Sequence, residues 1–174
     1  MKLHQLKIDY TPEQDRLLMQ IATSDGLEVR SWLTRRFVKL LWPMLVKLAE
    51  ETNPRIASQA SAEARNALLG IEHEQAISKA DFSKPFQPAP RATPLGDEPL
   101  LLARIQTGRD AKGLPVVALH PADGQGLTLT FDAVLLHSVC RLLQAAAQKS
   151  DWDLKLQLPN AEARPDERVR RTIN

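Results

Sequence analysis

The sequence predicts an α+β protein built by internal duplication of a strand-strand-strand-helix unit, its antiparallel sheets covered by helices and joined by an Ala-rich helix and a Pro-rich connector. Three observations carry this. Apolar and polar residues alternate with period two in two separate regions, 6–33 and 101–131. Each region runs into an apolar stripe at helical spacing behind a capping residue, Thr34 in one and Asp132 in the other. The two regions superpose at a constant offset of 98 residues, which pairs Met19 with Val117, Ile21 with Leu119, Asp25-Gly26 with Asp123-Gly124, Leu33 with Phe131 and Thr34 with Asp132.

In the first unit, residues 1–50, Leu6, Ile8 and Tyr10 alternate with Lys7 and Asp9. Thr11-Pro12-Glu13-Gln14-Asp15 is turn chemistry, and Leu17, Met19 and Ile21 alternate again, which predicts a hairpin. Ser24-Asp25-Gly26 supplies a second tight turn, and Val29, Ser31 and Leu33 make a third strand. The helix behind Thr34 carries Phe37, Leu40, Leu41, Met44, Leu45 and Leu48 on one stripe, with Pro43 inside it as a source of a kink.

Residues 51–98 form the link. Asn53-Pro54 is a cap followed by the residue best tolerated at the first helical position. The Ala-rich run 56–80 then predicts one helix with a thin apolar face of Ala60, Ala64, Ala67, Leu68 and Ile71. Prolines 85, 88, 90, 94 and 99 forbid helix and central strand alike, so 84–99 reads as an extended connector. The second unit, 99–158, places strands around Leu101–Ile105, Val117–Leu119 and Leu127–Phe131. Its helix carries Leu135, Val139, Leu142, Leu143 and Ala146, and Leu154, Leu156 and Leu158 predict a final edge strand. Residues 159–174 read as a flexible polar tail, and the whole as one compact domain.

Composition narrows the function classes. A chain of 174 residues, 43% hydrophobic and 25% charged, is an ordinary globular protein. Its 23 basic and 21 acidic residues leave a net charge of +2, too little to mark a nucleic-acid or membrane binder by charge alone. The single Cys140 excludes an internal disulfide framework and favours a reducing compartment, so the cytoplasm is the expected location. No apolar run reaches the ~20 residues needed to cross a bilayer, so no membrane partner is expected.

Catalytic chemistry finds no foothold. Histidines 4, 73, 120 and 137 never fall in a metal-binding spacing with one another or with Cys140, so neither a metal nor a cofactor is expected. His137 and Cys140 stand three apart on the second helix and could meet as a Cys-His pair, but a histidine at the polar border and a cysteine filling a core gap explain them more simply. Gly124-Gln125-Gly126 precedes a strand rather than a helix and is no phosphate loop. No general acid-base pair stands out, so no catalytic residue is nominated.

What remains is a surface. If the apolar set of the first unit faces its helix, alternation sends Lys7, Arg16, Leu18, Gln20, Arg30 and Trp32 to the opposite sheet face. In the second unit the same face holds Arg104, Gln106, Val116, His120, Thr128 and Thr130. Such a platform could stack unpaired bases on Trp32 and meet phosphates with arginine. Arg35 and Arg36, at the positive end of a helix dipole, also suggest an external anion. The plainer alternative is a solvated basic face with Trp32 covered by another element or subunit. The tail arginines 164, 168, 170 and 171 are offset by Glu162, Asp166 and Glu167 and make no basic arm.

A duplicated multi-strand sheet unit followed by a helix resembles the arrangement of PUR-type and whirly-type single-stranded nucleic-acid binders, a resemblance of topology that no residue signature carries. The expected function is therefore non-catalytic binding, of single-stranded DNA or RNA through the basic outer sheet face. The alternative is a protein-interaction or assembly factor acting as a homo-oligomer through the Ala-rich helix and exposed strand edges. The third is an enzyme with an unrecognised site between the units.

Overall fold

The computed structural model describes residues 3–87 and 91–158; the predicted tail 159–174 and the prolines 88 and 90 lie outside the described residues. The chain is α+β; the described residues form one mixed six-stranded sheet and four α-helices, the strands lying in sequence order β1-β2-β3-β4-β5-β6.

Strands β1 (Leu3–Thr11), β2 (Arg16–Thr23) and β3 (Glu28–Leu33) form an antiparallel meander in which Ile8 faces Met19 and Met19 faces Ser31. The β1-β2 turn passes through a short 3-10 segment and ends on Asp15, whose φ of 47° is a conformation that aspartate tolerates. The β2-β3 turn ends on Gly26 at φ 80°, and the Thr23 hydroxyl accepts a bond from the Leu27 amide at 3.0 Å. Strands β4 (Leu100–Arg109), β5 (Pro115–Pro121) and β6 (Leu127–Thr130) form a second antiparallel meander. Its first turn is held by the Asp110 carboxylate, which accepts from the amides of Lys112 and Leu114. The order strand-strand-strand-helix thus occurs twice, ending in α1 (Arg35–Thr52) and α4 (Ala133–Gln148).

The two meanders meet in parallel, not antiparallel, through Ser31↔Leu100 and Trp32↔Leu101. A tight turn would have forced antiparallel pairing, but the chain between β3 and β4 passes through three helices and the connector, a crossover long enough to return it in the same direction.

The caps form as the sequence implies: Thr34 accepts from the Phe37 amide at 3.2 Å and Asp132 from the Leu135 amide at 2.7 Å. In α1, Phe37, Leu41, Leu45 and Leu48 are buried, but Val38 and Trp42 complete the buried face while Leu40 is 52% exposed. Pro43 sits within the helix on its exposed side, where the missing amide is least costly. The predicted linking helix is divided into α2 (Pro54–Ala57) and α3 (Ala62–Lys79). The division falls where Ser58 bonds back to the Arg55 carbonyl and Ser61 starts a new helix by accepting from the Ala64 amide. The buried face of α3 is Leu69, Gly70, His73 and Ala76, not the alanine stripe, and Ile71 is exposed. No strand forms at 153–158. Asp153 takes φ 51°, which breaks an extended run, and Trp152 and Leu158 are buried against the core without joining a ladder.

Inward residues of all six strands share one apolar cluster with the buried faces of the helices. A void within it, about 10 Å³, is lined from both meanders by apolar side chains including Met19, Leu33, Val117 and Phe131. That is room for a water at most, with no polar group to hold one. Leu45→Ala, at a fully buried position of α1, should lower stability by about 2–5 kcal/mol in a denaturant titration. Gly126→Ala should also destabilise, because a Cβ there would overlap the Leu119 carbonyl oxygen, which is backbone and cannot swing aside; an unchanged midpoint would contradict that packing.

Candidate binding face on the outer side of the sheet

Strand alternation decides which side chains face away from the core. With Leu17, Met19 and Ile21 buried, Arg16, Leu18 and Gln20 point outward; with Val29, Ser31 and Leu33 buried, so do Glu28, Arg30 and Trp32. The register sets these in rows. Lys7, Gln20 and Arg30 are neighbours across β1, β2 and β3, and Asp9, Leu18 and Trp32 form the next row. Trp32 then pairs with Leu101 across the parallel join. Beyond it, Arg104 lies opposite His120, Ala118 opposite Thr128, and Val116 opposite Thr130. Lys7, Arg104, Thr128 and Thr130 are exposed; Arg16, Arg30 and Trp32 are half-buried. The structure therefore brings seven of the nine sequence-nominated residues onto one face. Arg35 and Arg36 lie elsewhere, exposed in the first turn of α1.

The electrostatics of this face are graded. At the β1-β3 end the connector closes on it. Glu28 donates its amide to the Ala92 carbonyl at 2.8 Å, and Arg91 reaches the Glu28 carboxylate at 3.3 Å and the Gln5 side chain at 3.2 Å while lying over the Phe86 ring. The Arg91 and Glu28 side chains are only 8% and 14% exposed, so this pair is largely removed from water. Arg30 stands beside it, with its Nε 3.7 Å from Glu28 and that buried nitrogen without a hydrogen-bond partner. Glu28 is thus shared between two guanidiniums, which leaves positive charge in excess at Arg30. Lys7 is 3.9 Å from Asp9, itself held by Lys149 at 2.7 Å. Burial opposes ionisation of Asp9, but the bonds from Lys149 and the Tyr10 amide outweigh it and hold the carboxyl below its ordinary range. Arg104 donates from Nε to the Pro121 carbonyl, which fixes its stem along the sheet.

Several groups escaped sequence reasoning. Leu101, 45% exposed beside Trp32, enters the face only because of the parallel join. Asp15 accepts from the Trp152 indole at 2.6 Å and the Tyr10 hydroxyl at 3.0 Å, tying the segment after α4 to the first hairpin. His137 is fully buried rather than at a polar border, because α3 covers it. Its Nδ1 lies 3.1 Å from Nδ1 of His73, not on Cys140. Burial pushes the Cys140 thiol up to about 12, so it is no nucleophile. Among the described residues no three His, Cys, Asp or Glu side chains converge in a way that could hold a metal ion, and no helix is long and apolar enough to cross a membrane.

Arg91→Ala should cost about 1–3 kcal/mol of stability, because it strands a largely buried Glu28 and strips a donor from Gln5. A urea titration checks this; no change would mean that the connector is not fastened to the sheet. Comparison of the chain with protein-family models, with curated proteins and with solved structures gives no match in any of the three.

Proposed function

We propose that this chain is a non-catalytic protein that binds single-stranded nucleic acid on the outer face of its sheet. The observation that carries this reading is Trp32. Of the three tryptophans, Trp42 and Trp152 are buried in the core, whereas Trp32 is half-buried, between Leu18 and Leu101 near the middle of the sheet. An indole there offers one π-face and an apolar surround, which suits an unpaired base and not one inside a duplex. Arg30, two residues along the same strand, supplies positive charge that Glu28, shared with Arg91, offsets only in part. Lys7, Arg16 and Arg104 extend it for a phosphate backbone, and the Thr128 and Thr130 hydroxyls can bond sugar or phosphate. In the same reading the two meanders descend from duplication of one strand-strand-strand-helix unit, whose helices cover the inner face and leave the outer one for the ligand. A second reading, assembly with another copy of the chain through the helical side, is favoured by the exposure of Leu40 on α1 and Ile71 on α3.

Titration with single-stranded and duplex oligonucleotides at two salt concentrations, run beside light scattering, separates the two readings. The binding reading expects single strands to bind more tightly than duplex, with an affinity that falls as salt rises. Trp32→Ala should weaken binding roughly 5- to 150-fold, the worth of one stacked base at about 1–3 kcal/mol, and Arg30→Ala should reduce the salt slope by about 1. Quenching of intrinsic fluorescence should vanish in Trp32→Phe, since the other indoles are buried. Absence of binding at low salt, with a mass above one chain, would replace this reading by the second.

A further inference from the structure

Helix α3 is lightly fastened. Of its eighteen residues only Leu69, Gly70, His73 and Ala76 are buried, and its main packing partners are α4, α2 and α1 rather than the sheet. One of those four buried residues is polar, and so is what it meets: His73 Nδ1 lies 3.1 Å from His137 Nδ1 on α4, with the rings edge to face at 5.2 Å. Two ring nitrogens at that distance bond only if one carries a proton and the other does not. The accepting ring must therefore be neutral with its proton on Nε2, and the donor ring must carry a proton on Nδ1; burial opposes charge on either ring, so at neutral pH the pair is two neutral imidazoles in opposite tautomers.

We propose that this pair is an acid-sensitive latch: neutral, it fastens α3 to α4, and its protonation releases α3 while the sheet and its core stay folded. The first proton goes to the bare Nε2 of the donor ring and creates a buried imidazolium with the bridge still in place. The second goes to the accepting Nδ1 and leaves two N–H groups facing each other with no acceptor between them. Water satisfies both cations once α3 lifts away.

The surrounding charges do not rescue a buried imidazolium. Glu72 on α3 draws His137 toward its charged form, His137 itself and Arg141 on α4 drive His73 the other way, and among the described residues no charge on α1 or α2 shifts either ring. Cys140, one turn along α4, is held as a neutral thiol. Burial dominates, holding His137 below the ordinary histidine range and taking His73 down to about 4. The sign follows: the released imidazoles bind protons at about pH 6.5 and the latched ones only below that, so the latch is fully closed above about pH 6.5 and loses ground as pH falls toward about 4.

Hydrogen exchange of the full chain at a series of pH values between about 7.5 and 5, corrected for intrinsic rates, tests this. The expected result is that amides within Ala62–Lys79 lose protection as pH falls, the slope approaching about tenfold per pH unit for each proton taken up, while β2, β5 and α1 keep theirs. Protection of α3 that is independent of pH, or that falls in step with the strands, would overturn the latch. The double variant His73→Phe/His137→Leu should lose the pH dependence, and its retention would also overturn the proposal. Should that variant not fold, nitrogen chemical shifts of the two imidazoles in the unaltered chain decide: opposite neutral tautomers at about pH 7.5 are required, and identical tautomers or a charged ring would contradict it.

Discussion

Everything in this fold depends on two residue pairs. Ser31↔Leu100 and Trp32↔Leu101 join two three-stranded meanders into one sheet, and neither meander with its single helix could bury much apolar surface alone. Once joined, Leu33 on one side and Phe131 on the other line the same void, and α1 and α4 close over a common cluster. The join has its own cost. Ser31, fully buried on the inner side, keeps a hydroxyl without a partner, which is worth about 1–3 kcal/mol against folding. Apolar burial on either side outweighs it, each large side chain contributing about 1.5–3 kcal/mol.

The same join makes the outer face continuous. Because β3 and β4 run in parallel, Trp32 is flanked by Leu18 on one side and Leu101 on the other, and the arginines of both meanders share one surface. The connector limits that surface, pinned across one end by Arg91, Glu28 and Gln5. The face is therefore bounded and only moderately basic, in keeping with the small net charge, and its chemistry is local. It is an aromatic and aliphatic centre with cations beside it, rather than a broad positive field. The opposite, helical side concentrates its unusual chemistry in one place, the imidazole pair between α3 and α4.

How much of this was legible in the sequence follows from the range of the interactions involved. Period-two alternation located all six strands and the face of most outward side chains, because a strand with one buried face must alternate; it missed Leu101, where the irregularity between Leu102 and Arg104 shifts the alternation. The capping roles of Thr34 and Asp132 were readable because a helix start needs a local acceptor. The parallel join was not readable, since no local residue pattern reports which strand returns beside which. The α3 face was misplaced because alanine gives a weak stripe, and because a histidine buried by a partner 64 residues away looks polar to any hydrophobicity argument. Leu154, Leu156 and Leu158 alternate as a strand would, yet they follow a positive φ at Asp153 and a tryptophan anchored on Asp15, so the segment packs without pairing.

The central claim is that a bare, joined sheet face centred on Trp32 is where this protein meets its ligand. The most direct measurement is a residue-resolved map of backbone amide chemical shifts as a short single-stranded oligonucleotide is added to the isotopically labelled chain. The account predicts the largest changes in β2, β3 and the start of β4, around Leu18, Trp32 and Leu101, with smaller ones at Arg104, Thr128 and Thr130 and little change in α3 and α4. Shifts concentrated on the helices, or none at saturating oligonucleotide, would contradict it.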